Sequence, residues 1–150
     1  MFEEKSLLYC TPFYFKDGNA ASPKYFLVLK NLGNGVIVAN LPSSQVYVPF
    51  PDENVKHGCI HLPELSFSCY CMMNGISITD LGYKFRLPTF IYGKWVEDYL
   101  IDTLKLTYRV KDEDYSYCGK LNEDIYKSVV DCLKKSTSIK RKFKKMIESW

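Results

Sequence analysis

The stretch Ser22-Pro23-Lys24-Tyr25-Phe26-Leu27-Val28-Leu29-Lys30, followed by Gly33-Asn34-Gly35 and Val36-Ile37-Val38-Ala39-Asn40, decides the fold of this 150-residue chain. Two apolar runs rich in Val, Leu, Phe and Tyr flank a Gly-Asn-Gly turn, the pattern of a β-hairpin. With the turn centred on Asn34, Lys24 falls opposite Ser44 at the open end. Directly facing residues share one sheet face, with Cβ atoms roughly 4.5–5.5 Å apart. Local pairing would then bring a cation beside a hydroxyl, next to a turn stiffened by Pro42. The same residues also read as a surface charge followed by an ordinary turn.

Similar runs extend on both sides of the hairpin. Strands are expected near Thr11–Phe15, Gln45–Pro49, His57–Leu62, Phe67–Met72 and Leu87–Tyr92, with Pro49–Asn54 as a polar loop. Short strands with little between them predict a curled antiparallel sheet or small barrel over about residues 7–92. A helical part is expected over about 95–150, completing a single domain. Val96, Leu100 and Leu104, with Trp95 and Tyr99, fit a helical stripe over 95–106 better than alternation does. Lys111–Asp114 reads as a loop. Ile125, Val129, Cys132 and Leu133 share one face of a helix over 122–135, with Asn122 as N-cap and Glu123 and Asp124 in the first turn. A last short helix, Ile139–Glu148, carries Phe143, Met146 and Ile147 on its apolar side.

Composition narrows the class further. The chain is 47% hydrophobic and 25% charged, which is globular rather than disordered. It has no run of 18 apolar residues, and its acidic start, Met1-Phe2-Glu3-Glu4-Lys5, lacks the pattern of a signal peptide. A cytoplasmic protein with no membrane partner and mostly reduced cysteines is therefore expected. The net charge of +3 is uneven, because residues 121–150 hold eight Lys/Arg against four Asp/Glu. Lys140, Arg141, Lys144 and Lys145 of that segment are candidates for holding an RNA backbone electrostatically. The same cations also read as a solvated helix face or as a docking site for an acidic protein.

The segment 22–45 resembles the MazF/PemK toxin family. Members have a small β-barrel in which a basic residue and a Pro enter an apolar strand. A second apolar strand ends in a Pro-containing turn with Ser or Thr. Here Pro23-Lys24 before Tyr25–Leu29 matches the first part, and Val36–Ala39 before Pro42-Ser43-Ser44 matches the second. The family's basic residue is usually Arg and precedes the Pro, whereas this chain has Pro23-Lys24. The resemblance implies a sequence-specific endoribonuclease of a toxin–antitoxin system that uses no metal or other cofactor. Its substrate is RNA, and an antitoxin and a second copy of the chain are its implied partners. Lys24 would stabilise charge on the phosphorane, while Ser43 or Ser44 would hydrogen-bond the phosphate or assist proton transfer. Gln45 would contact the RNA. With Lys24 facing Ser44, the Ser44→Ala change is expected to cost more than Ser43→Ala.

A second cluster pairs His57-Gly58-Cys59-Ile60-His61 with Cys69-Tyr70-Cys71. If the connection between the strands is symmetric, Cys59 faces Cys69 and His57 faces Cys71, grouping four ligands of the type zinc uses. A one-residue slip would disperse them. Thiols packed as small hydrophobes are the other reading. Two alternatives to the nuclease therefore stand: a non-catalytic small-barrel module that binds RNA or a protein, and a zinc-dependent structural module.

Overall fold

A computed structural model describes residues 2–13, 22–42, 56–62 and 67–150. In chain order these form β1 (Ser6–Phe13), β2 (Ser22–Asn31), β3 (Gly35–Pro42), β4 (Gly58–Leu62), β5 (Phe67–Met72), β6 (Thr89–Ile91), β7 (Val96–Leu100), α1 (Ile101–Thr107), β8 (Tyr115–Lys120), α2 (Glu123–Lys134) and α3 (Arg141–Ile147). The expected strand Gln45–Pro49 and the loop after it lie outside the described residues. The protein is mainly β with helices toward its C-terminal end, as expected. Its strands form two antiparallel sheets, one ordered β7-β3-β2-β1-β8 and one ordered β4-β5-β6. Among the described residues no ladder joins the two sheets into a closed barrel.

The apolar run of β2 is unbroken because both of its faces are buried. Leu27 and Leu29 enter a core shared with Tyr70 and Met72 of β5, Val129 and Leu133 of α2 and Phe143 of α3. Phe26 and Val28 enter a second core, which Leu104 and Tyr108 close from the α1 side. On the far side of the smaller sheet Ile60, Cys69, Cys71 and Phe90 form a third cluster.

The hairpin register differs from the expected one. Gly33 adopts φ +97° in a tight turn in which Leu32 N–H donates to the Gly35 carbonyl at 2.8 Å, and Asn31 Oδ1 accepts from Gly33 N–H at 2.8 Å. The turn is thus centred half a residue earlier than Asn34. A bulge between Val28 and Lys30 then shifts the ladder again, so Lys24 faces Pro42 rather than Ser44. The Leu29 carbonyl at this bulge accepts the Tyr126 hydroxyl of α2 at 2.6 Å.

Two further segments depart from the expected pattern. Val96–Leu100 is a strand, because the open edge of β3 pairs with it from Gly35↔Leu100 to Ala39↔Val96, and only Ile101–Thr107 is helical. Edge pairing here overrides the helical spacing of Val96, Leu100 and Leu104. Tyr115–Lys120, which was not expected to be a strand, pairs with β1 and supplies the opposite edge of the larger sheet. Gly119 in this strand has φ +107°, and a Cβ there would lie 2.7 Å from Asp80 Oδ1. The helix over 122–135 forms as expected, but Asn122 directs its amide to the Ser77 carbonyl at 3.4 Å instead of capping.

The β4–β5 register also corrects the expectation. Cys59 pairs with Tyr70 and Ile60 with Cys69, one residue from the symmetric arrangement. Cys59 therefore faces α2, where it forms a disulfide with Cys132, while Cys69 and Cys71 point to the other side. The expectation of mostly reduced cysteines holds for four of the six: Cys10, Cys69, Cys71 and Cys118 are free and buried. Burial pushes the Cys10 and Cys69 thiols up to about 12, and those of Cys71 and Cys118 to about 11. At pH 8 about one such thiol in a thousand, or fewer, is a thiolate. A thiol reagent at pH 8 is therefore expected to leave the native protein unlabelled. It should label four cysteines after unfolding and six after unfolding with reductant, counted by intact mass.

Candidate nucleic-acid interface

At one end of the larger sheet, adjacent residues of β2 present different chemistry to its two faces. One cross-strand row runs Tyr115, Cys10, Lys24, Pro42 across β8, β1, β2 and β3. The next row runs Ser116, Tyr9, Tyr25, Leu41 on the opposite face. Lys24 is half-buried, and desolvation lowers its pKa from the usual lysine value. Its ammonium is thus less well hydrated than a surface lysine, which strengthens any interaction with an anion brought beside it. On the same face, diagonal to Lys24, Asn40 is only 8% exposed and its Oδ1 is buried with no hydrogen-bond partner. Ser43, Ser44 and Gln45 lie outside the described residues.

The Tyr25 face opens into a cleft of about 650 Å³. Tyr9, Tyr25, Tyr83, Phe85, Arg86 and Ser116 are among the side chains that line it. Phe85, 4% exposed, wedges edge-on between two tyrosines, with centroids 4.7 Å from Tyr25 and 5.4 Å from Tyr83. The Tyr25 and Tyr83 hydroxyls hydrogen-bond each other, and Tyr9 lies against Tyr25 at 4.8 Å. Burial, ahead of that hydrogen bond, raises the pKa of Tyr25, and burial also raises that of Tyr83, so both phenols are neutral at pH 7. Thr79 ties the start of the connecting segment 83–86 to β8: its hydroxyl donates to the Cys118 carbonyl at 2.8 Å and accepts from Tyr83 N–H at 3.1 Å. Sequence reasoning missed this cleft. Its signal was Tyr83-Lys84-Phe85-Arg86, where aromatic and cationic residues alternate as they do in single-strand binding surfaces.

The other expected site residues lie elsewhere. His57 Nδ1 accepts the Met73 N–H at 3.3 Å, and its ring packs edge-on to Tyr70 on the smaller sheet. The grouping of His57, Cys59, Cys69 and Cys71 as zinc ligands is undone by the observed register and by the Cys59–Cys132 bridge. Among the described residues no group of three or more His, Cys, Asp or Glu side chains is arranged to hold a metal ion. Lys140 and Lys142, at the start of α3, face the β7 edge, across the sheet from β8. Lys140 pairs with Glu97 and Lys142 with Asp98 at 3.6 Å, while Lys144 donates to the Ser136 carbonyl at 3.3 Å. Arg141 and Lys145 are exposed. Among the described residues no helix is long and apolar enough to cross a membrane.

Compared with known proteins, the chain matches no protein-family model and no curated protein.

Proposed function

We propose that this protein is a toxin-like, metal-independent endoribonuclease of the MazF/PemK kind, acting on single-stranded RNA in the cytoplasm. In this reading the two sheets, with β6 packed beside β3, are an opened form of that family's barrel. An antitoxin and a second copy of the chain are its protein partners. The observation that carries the reading is the position of Lys24: a half-buried lysine at the mouth of the hairpin, opposite Pro42 and one residue from the aromatic cleft.

The reaction needs little beyond positioning and charge. The ribose 2′-oxygen forms a bond to the adjacent phosphorus as its proton departs. The bond from phosphorus to the 5′-oxygen breaks and that oxygen takes up a proton, leaving a 2′,3′-cyclic phosphate and a 5′-hydroxyl. Negative charge grows on the non-bridging oxygens of the phosphorane, where Lys24 stabilises it. Ser43 or Ser44 is proposed to hydrogen-bond the phosphate or to relay a proton, and Gln45 to contact the RNA. The test is incubation of the purified protein with single-stranded RNA in the presence of EDTA, reading fragments that end in a cyclic phosphate.

The non-catalytic reading, in which the fold binds RNA and does not cut it, is favoured by one specific observation: Lys24 is not among the described residues that line the aromatic cleft. In either reading the exposed tail cations add a sequence-independent contact. Replacing Arg141 and Lys145 by Gln is expected to lower the slope of log K against log salt by about 1.4, at about 0.7 per phosphate contact on a single strand. A binding titration from 50 to 300 mM salt measures it, and an unchanged slope assigns these charges to solvation. Lys140 and Lys144 are held by Glu97 and Ser136, so their replacement also loosens α3.

A further inference from the structure

We propose that the cleft formed by Tyr9, Tyr25, Tyr83 and Phe85 takes one unpaired nucleobase of the RNA, with Arg86 holding a neighbouring phosphate. The inference rests on the RNA reading above and assigns the residues that choose the base.

Size, shape and charge converge on this occupant. A volume of about 650 Å³ falls within the usual range for small-ligand sites. Phe85 meets Tyr25 and Tyr83 edge to face at 89° and 86°, so it braces the two phenols without stacking on either. The shared hydrogen bond between the phenol hydroxyls fixes both rings further. Rings held this way lose little freedom when a base slides against them. Stacking on such rings suits every base, because each has a π-face, and polar groups at the edge then discriminate. Here Ser116 and Tyr9, neighbours in one cross-strand row and both lining the cleft, carry the hydroxyls that would make those edge contacts.

The electrostatics agree. No carboxylate is among the described residues that line the cleft, and the one charged side chain among them is that of the exposed Arg86. The planar fork of Arg suits a phosphate. The neutral phenols of Tyr25 and Tyr83 add no repulsion. Because Tyr25 and Lys24 are consecutive residues on opposite faces at the sheet end, a strand crossing that end would place a base in the cleft and a phosphodiester beside Lys24.

The decisive probe is a single-stranded RNA made uncleavable by 2′-O-methylation, titrated against wild type, Tyr83→Leu, Arg86→Gln and Lys24→Ala by fluorescence anisotropy. Tyr83→Leu is expected to weaken binding roughly ten- to a hundredfold. Arg86→Gln, at an exposed position, is expected to lower the salt slope by about 0.7. With cleavable RNA, Tyr9→Phe, which keeps the ring and removes its hydroxyl, should broaden the sequence preference. If Tyr83→Leu and Arg86→Gln bind like wild type, as Lys24→Ala should, while wild type cleaves RNA through Lys24, the cleft assignment is wrong and the nuclease reading stands. That outcome would leave the cleft to an aromatic side chain of a protein partner. If wild type neither binds nor cuts RNA, both readings fall together.

Discussion

Lys24→Ala is expected to reduce RNA cleavage by about 10²–10³, the usual cost of removing one preorganised group that stabilises transition-state charge. The effect should fall on kcat more than on KM, because the phosphorane carries more charge beside Lys24 than the ground-state phosphodiester does. Lys24 is half-buried at the sheet end, and the strand that carries it is anchored by Tyr25, Phe26 and Leu27, so the unfolding midpoint should hardly move. Lys24→Arg should keep or raise activity, since Arg is the cation the resembled family uses. The expected excess cost of Ser44→Ala over Ser43→Ala loses its ground, because Lys24 faces Pro42. Single-turnover cleavage of a defined RNA by the three proteins provides the comparison.

The largest effect on stability is expected two residues further along the same strand. Phe26 is 1% exposed and packs at 6.3 Å from Phe2 and 6.0 Å from Tyr99, filling the second core beneath α1. Phe26→Ala removes that contact area and leaves a cavity that the paired strands on either side cannot collapse into. The expected loss is about 3–5 kcal/mol, a large share of the stability of a domain of this size. Leu106→Ala, on the exposed side of α1 at 66% exposure, should change stability by less than about 0.5 kcal/mol. Urea titrations of both variants, read by far-UV circular dichroism, separate the two. Equal midpoints would mean that α1 does not cover this face of the sheet.

Local pattern carried the central hairpin and α2 but not the pairing between elements. The runs Tyr25–Leu29 and Val36–Ala39 were legible because strands buried on both faces are continuously apolar. Ile125, Val129 and Leu133 were legible because one face of α2 packs on the sheets. The register was not, since the bulge at Leu29 is coupled to a hydroxyl 97 residues away on Tyr126. The one-residue slip of β4 against β5 likewise follows from which side chains the core needs: Tyr70 and Met72 toward α2, Ile60 and Phe90 away. Val96–Leu100 looked helical because its spacing straddles a strand and the helix after it. At the site, Lys24 was marked by the apolar run it introduces. The cleft was not, because it gathers Tyr9, Tyr25, Tyr83 and Ser116 from three strands and a connecting segment that only the fold brings together.

In the proposed function Lys24 serves a metal-independent cleavage that uses the RNA's own 2′-hydroxyl. The most direct measurement presents one sequence to the purified protein as RNA and as its fully 2′-deoxy counterpart, in EDTA, with Lys24→Ala run in parallel. The expected result is RNA fragments ending in a 2′,3′-cyclic phosphate, intact DNA, and a loss of about 10²–10³ in rate for the variant. RNA left intact by wild type, DNA cut as well as RNA, or a Lys24→Ala protein as fast as wild type would contradict it.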